Sequence, residues 1–140
     1  MQELNSPPKS CWTVLNVEND PGNVLLMEGM IGRRSDLRLL TAMTGNEGCE
    51  MACSLLPDTI LLNIGSPAIN GFEALKFLLE NPATAHIAVI ALSSDAYPHQ
   101  IKHALKAGFF RYMTKPYKLV VLIAEIDDAL RHAAENRPLE

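Results

Sequence analysis

Five short apolar runs punctuate the chain, and between them apolar positions recur every three or four residues. The runs at Trp12–Val17, Leu37–Ala42, Thr59–Asn63, Ile87–Leu92 and Phe110–Thr114 are shorter than ordinary helices. They are also too continuously apolar for a sheet with one wet face, so they predict central strands of a parallel sheet. The intervening pattern predicts helices over Pro21–Ile31, Gly45–Ser54, Phe72–Glu80, His99–Ala107 and Lys118–Ala133. Asp20 ahead of Pro21 is a good N-cap, with proline at the first helical position, where a missing N–H costs nothing. In the last helix Leu119, Leu122, Ile123, Ile126 and Leu130 form an apolar stripe, and Glu125, Asp127, Asp128 and Arg131 fall mostly on the wet side. The alternation predicts a single α/β domain: one doubly wound five-stranded parallel sheet with helices on both faces. Such a sheet binds ligands outside the carboxyl ends of its strands.

Composition narrows this without changing it. At 140 residues the chain is one domain long, and 48% hydrophobic with 20% charged residues is ordinary for a globular protein. The formal charge of −4 and the lack of a clustered basic face exclude a nucleic-acid footprint. Three cysteines, Cys11, Cys49 and Cys53, have no zinc-site spacing and suit a reducing compartment; Cys49 and Cys53 share a helix face as packing residues. No stretch approaches about 18 uninterrupted apolar residues, so the expectation is a soluble, cytoplasmic protein without a membrane partner. Residues 1–10, with Ser6-Pro7-Pro8-Lys9-Ser10, read as a flexible arm or linker; residues 11–133 form the domain and 134–140 a C-terminal tail.

The chemistry-bearing residues sit where the strands end. Val17-Glu18-Asn19-Asp20-Pro21, Leu61-Leu62-Asn63-Ile64, Asn70-Gly71-Phe72-Glu73-Ala74-Leu75, Val89-Ile90-Ala91-Leu92-Ser93 and Tyr112-Met113-Thr114-Lys115-Pro116 are five collinear blocks. Together they resemble the receiver domains of bacterial two-component response regulators, from about Trp12 to Leu130, and most closely those attached to hybrid sensor kinases.

The resemblance implies the flavodoxin-like receiver fold and a signalling module rather than an enzyme. In that family a strand-end aspartate accepts a phosphoryl group from a histidine kinase, with magnesium held by it and by an acidic pair after the first strand. Asn63 occupies the acceptor position. An acyl phosphate requires an anionic oxygen nucleophile, and an amide oxygen is neutral, so the family reaction is expected to fail. The metal positions correspond to Glu18, Asn19 and Asn63, a single carboxylate where a hard cation prefers several; Mg2+ is expected to bind at most weakly, and no other cofactor. Asp20 lies one residue out of register and is assigned to the helix cap.

Ser93 matches the hydroxyl that contacts the phosphoryl oxygen, and Lys115 the lysine that pairs with its charge. By resemblance Lys115-Pro116 is a cis peptide, and Lys115 is expected to bond Asn63 and salt-bridge Glu18. Tyr112 matches the aromatic that swings inward on activation; lacking that trigger, it is assigned to a partner surface bordered by Tyr97, Ile101, Lys106, Phe110 and Arg111. The implied reading is a degenerate receiver in two-component phosphorelay signalling that works by protein–protein interaction. Its partners would be a histidine kinase, another receiver or an output domain, and a homodimer through the Tyr112 face fits the same pattern.

Alternatives stay open at this stage. One is an ordinary phosphoacceptor in which Asn63 was introduced to block the reaction. Another is a flavodoxin-like cofactor carrier, which would need a phosphate-cradling loop after the first strand; Glu18-Asn19-Asp20-Pro21-Gly22-Asn23 carries two acids instead. His99 and His103 have the spacing of a zinc protease motif, but Gln100 stands where its glutamate would be. His86 and His132 suggest no site, and Ser54, Ser66 and Ser94 have no histidine partner at recognisable spacing.

Overall fold

The computed structural model describes residues 11–136. Strands β1 (Trp12–Val17), β2 (Leu37–Ala42), β3 (Thr59–Asn63), β4 (Ala88–Ser93) and β5 (Arg111–Thr114) alternate with helices α1 (Pro21–Ile31), α2 (Gly45–Leu55), α3 (Gly71–Glu80), α4 (Pro98–Ala107) and α5 (Leu119–Glu135). Every strand pair is parallel, and the sheet order is β2-β1-β3-β4-β5. This is the doubly wound architecture that the alternation predicts.

Boundaries differ from the sequence expectation where turns compete with the ladder. β4 starts at Ala88, because the Ile87 N–H is taken by the Thr84 carbonyl at 3.0 Å, and it runs on to Ser93, which pairs with Thr114. α4 starts at Pro98, in the first turn behind Tyr97. Lys118 caps α5 rather than entering it, and the helix continues past Ala133 to Glu135. The proposed arm over residues 1–10 and the end of the proposed tail, residues 137–140, lie outside the described residues.

All five residues of β3 are buried, which is why that run carries no polar alternation before Asn63. Alternate side chains feed two cores. Leu15, Val17, Ile60, Leu62, Leu75 and Leu78 pack on the side of α2, α3 and α4. Val14, Met27, Leu61, Ile90, Leu122 and Ile126 pack on the side of α1 and α5. The chain reverses after α4 at Gly108, whose φ of 122° suits glycine and whose added Cβ would press within 2.7 Å of Leu79 Cδ1.

The acids of α5 are less wet than their spacing suggests. Arg34 grips Asp36 bidentately, Nε–Oδ1 and Nη2–Oδ2 each at 2.8 Å, and reaches Asp127 at 3.1 and 3.2 Å, tying the α1–β2 turn to α5. Glu125 and Asp128 face Arg111 of β5 at 3.1 and 3.6 Å. Among the described residues no helix is long and apolar enough to cross a membrane.

Two outcomes follow for stability. Leu61→Ala, at a position 0% exposed in the central strand, should lower the unfolding free energy by about 2–5 kcal/mol in urea titrations. The hydrogen bonds from Arg34 hold the Asp36 carboxyl below its ordinary 3.8. A depressed carboxylate stabilises the fold above that ordinary value and loses its effect as pH falls through the lower, folded one. Arg34→Gln should therefore cost about 0.2–1 kcal/mol at neutral pH, and its urea curve should converge on the parent's in strong acid.

Candidate functional site

Because the sheet is parallel, the residues after β1, β3, β4 and β5 emerge at one edge, and Glu18, Asn63, Ser93 and Lys115 meet there. Glu18 is the centre. Its side chain is sealed from water at 2% exposure, and a carboxylate so placed must find charge and hydrogen bonds within the protein. Lys115 Nζ lies 3.7 Å from Oε1. Asn63 Nδ2 donates to Oε2 at 3.0 Å, and the Asp20 N–H donates to the same oxygen at 3.1 Å.

Asn63 is itself used on both sides. While its nitrogen serves Glu18, its amide oxygen accepts the Gly65 N–H at 2.9 Å, closing a turn of the kind asparagine favours. The expected Lys115–Asn63 hydrogen bond is not formed; the lysine faces Glu18 alone, where the charge is. The Lys115-Pro116 bond is cis.

The remaining groups of the edge are likewise bound locally. Asp20 Oδ2 accepts the Asn23 N–H at 2.9 Å and caps α1. Asn19 is half-buried. Ser93 is 5% exposed, and its Oγ accepts the Asp95 N–H at 3.0 Å. The donor set open to a divalent cation is thus one carboxylate and two amides, with the carboxylate and the Asn63 amide already hydrogen-bonded. Among the described residues no three His, Cys, Asp or Glu side chains cluster so as to hold a metal ion.

Tyr112 is half-buried against the core on the α4 side, and its hydroxyl donates to the Asp95 carbonyl at 2.5 Å. Its phenol head is therefore spent on the β4–α4 loop. The proposed neighbours Phe110 and Arg111 do not border it. Side chains alternate across a strand, so Arg111 turns to the other face, where it pairs with Glu125 and Asp128 and lies 4.3 Å from the Phe110 ring centroid. Phe110 packs with the α1–α5 core and against the His132 ring.

Sequence reasoning missed two buried polar groups on this side of the sheet. Asn16, two residues before Glu18 on the same face of β1, is 1% exposed, and neither polar atom of its side chain meets a partner among the described residues. The Tyr117 hydroxyl is also buried without a partner among the described residues. Burial first and the Glu18 charge second push its pKa well above the ordinary phenol value. A polar residue inside an apolar strand run was the available signal for Asn16.

The family model for the response regulator receiver domain matches residues 14–127. Response regulator PleD of Caulobacter vibrioides is 32% identical over 119 residues, an alignment covering 84% of this chain and 26% of PleD. The nitrate/nitrite response regulator NarL of Escherichia coli is 32% identical over 104 residues, covering 74% of this chain and 47% of NarL. The chain thus spans about a quarter to a half of these relatives. Among solved structures, the response regulator domain of CheB from Thermotoga maritima superposes with a TM-score of 0.71 at 28% identity, covering 91% of this chain and 99% of that one. The receiver domain of sensor histidine kinase PA1611 from Pseudomonas aeruginosa, solved with a magnesium ion in its active-site cleft, gives a TM-score of 0.78 at 24% identity, covering 86% and 98%.

Asn63→Asp would set a carboxylate oxygen near the place where the amide nitrogen now lies 3.0 Å from Glu18 Oε2. With a chelator present this variant should lose on the order of 1–3 kcal/mol of stability, since a donor becomes a like charge. Millimolar Mg2+ should return part of that loss and leave the parent's urea midpoint unmoved. Equal stability of the two proteins in chelator would show that the Asn63 donor is not what satisfies Glu18.

Proposed function

Since this chain belongs to the response regulator receiver domain family, the module of two-component signalling, we propose that it is a degenerate receiver, acting through protein contacts without aspartyl phosphorylation. The observation that carries this reading is the double engagement of the Asn63 amide, nitrogen to Glu18 and oxygen from Gly65. An amide offers no anionic oxygen to attack phosphorus, and this one is held in place by the backbone and by the carboxylate a metal would need. Lys115 neutralises Glu18, so the edge of the sheet is satisfied from within. Mg2+ binds weakly at most in this reading, because a hard cation would have to displace a lysine and an amide from one carboxylate.

Tyr112 supports the same conclusion. Its hydroxyl donates to the Asp95 carbonyl, which ties the ring to the β4–α4 loop. Ser93 and Lys115 are retained as parts of the local hydrogen-bond and charge network. Partners of the receiver class, namely a histidine kinase, another receiver or an output domain, would meet the surface of α4, β5 and α5, where Tyr97 is 67% and Val120 80% exposed.

The test is incubation with acetyl phosphate and Mg2+ followed by intact mass. The parent should gain nothing, and Asn63→Asp combined with Asn19→Asp should gain one phosphate that hydroxylamine removes. A hydroxylamine-labile phosphate on the parent chain would overturn the proposal.

A further inference from the structure

The layer of helices α2, α3 and α4 carries a charge pattern that the site at the sheet edge does not use. α2 bears acids and no bases, with Glu47 and Glu50 both exposed. α4 bears bases and no acids, with Lys102 and Lys106 exposed one turn apart. None of Glu50, Glu73, Lys102 and Lys106 has an ion-pair partner among the described residues. Between the two charged edges apolar side chains reach the surface among the charges of α3 (Glu73, Lys76 and Glu80): Phe77 and Leu79 of α3 are 46% and 39% exposed, Leu55 at the end of α2 is 53% and Leu105 of α4 is 45%.

A groove of about 800 Å3 separates α2 from α3, floored by Cys49, Cys53, Ala74 and Phe77 and rimmed by Glu50 and Glu73. It exists because α2 presents small side chains to α3. At its end a Cβ on Gly45 would collide with the Ile69 carbonyl, so the helix start sits directly on the β3–α3 loop. Cys49 is a neutral floor residue, since burial raises its thiol pKa.

We propose that this face is a self-association surface, with α4 of a second copy lying in the acidic α2–α3 groove. The pattern is self-complementary. α2, α3 and α4 lie on one side of the sheet, with the acids of α2 on one flank, the bases of α4 on the other and mixed charges around Phe77 and Leu79 on α3 between them, so a two-fold axis along α3 sets the α4 of each copy over the acidic helix of the other. Leu105 then enters the groove between Lys102 and Lys106, which face Glu50 and Glu73, and the α3 apolar residues meet at the centre. A two-fold contact of this kind closes on itself and stops at the dimer. A standard interface hides about 800 Å2 per partner, about a tenth of the 8136 Å2 surface. The inference does not rest on the degenerate-receiver reading; it shares α4 with the Tyr112 partner surface and adds the α2–α3 groove.

Sedimentation velocity of the full chain over a concentration series at low and high salt reads this directly. The parent should show a monomer–dimer equilibrium that weakens at least several-fold as salt rises. Glu50→Lys with Glu73→Lys, and separately Lys102→Glu with Lys106→Glu, should each sediment as monomers while keeping the parent's circular dichroism. Their equimolar mixture should dimerise, because both charge contacts are restored between unlike copies. A parent that stays monomeric at every concentration overturns the proposal, as does a dimer that persists in both variants, or a mixture that remains monomeric while each variant is folded.

Discussion

A carboxylate sealed from water has to be satisfied by the protein around it, and the sheet edge is organised by that demand at Glu18. In this fold the carboxyl ends of parallel strands bring chain segments of distant sequence position to one place. Those segments supply an ammonium group from after β5, an amide from the end of β3 and a backbone N–H from the start of α1. Each of these is a donor. The carboxylate is therefore satisfied from within the protein.

The same logic explains why Asn63 is compatible with an intact fold. An amide has one donating and one accepting end, and the strand end presents an acceptor on one side and a backbone N–H on the other. Both ends are filled with normal geometry. The amide at residue 63 thus leaves the hydrogen bonding of the strand end complete.

Much of the architecture was legible because patterning reports burial. Fully buried β3 reads as an unbroken apolar run, and the stripe of α5 reads at helical spacing, with Leu122, Ile126 and Leu130 inside. Glu18, Asn63, Ser93 and Lys115 were expected at one edge because strand ends converge in a parallel sheet, and they do lie there. What stayed hidden was direction. Whether Lys115 bonds Asn63 or only Glu18 depends on which end of an amide a turn has claimed, and Gly65 N–H decides that through a contact two residues away. The sidedness of β5 was misjudged for a similar reason. Arg111 and Tyr112 are adjacent in β5, but a strand sends neighbours to opposite faces, and the acids of α5 give Arg111 its reason to lie on the far side; Phe110 precedes the strand and packs with the α1–α5 core. Asn16 was legible as a polar interruption but not as a buried, unpartnered one.

The strand order also bears on how the chain is assembled. With β1 and β3 adjacent at the middle and β2 on the flank, the first three strands to be synthesised already form a contiguous ribbon. β4 and then β5 add beside the strand made just before them, each delivered by its own crossover helix. A nascent sheet of this order grows outward at one margin only, so no later strand has to insert between two that are already joined.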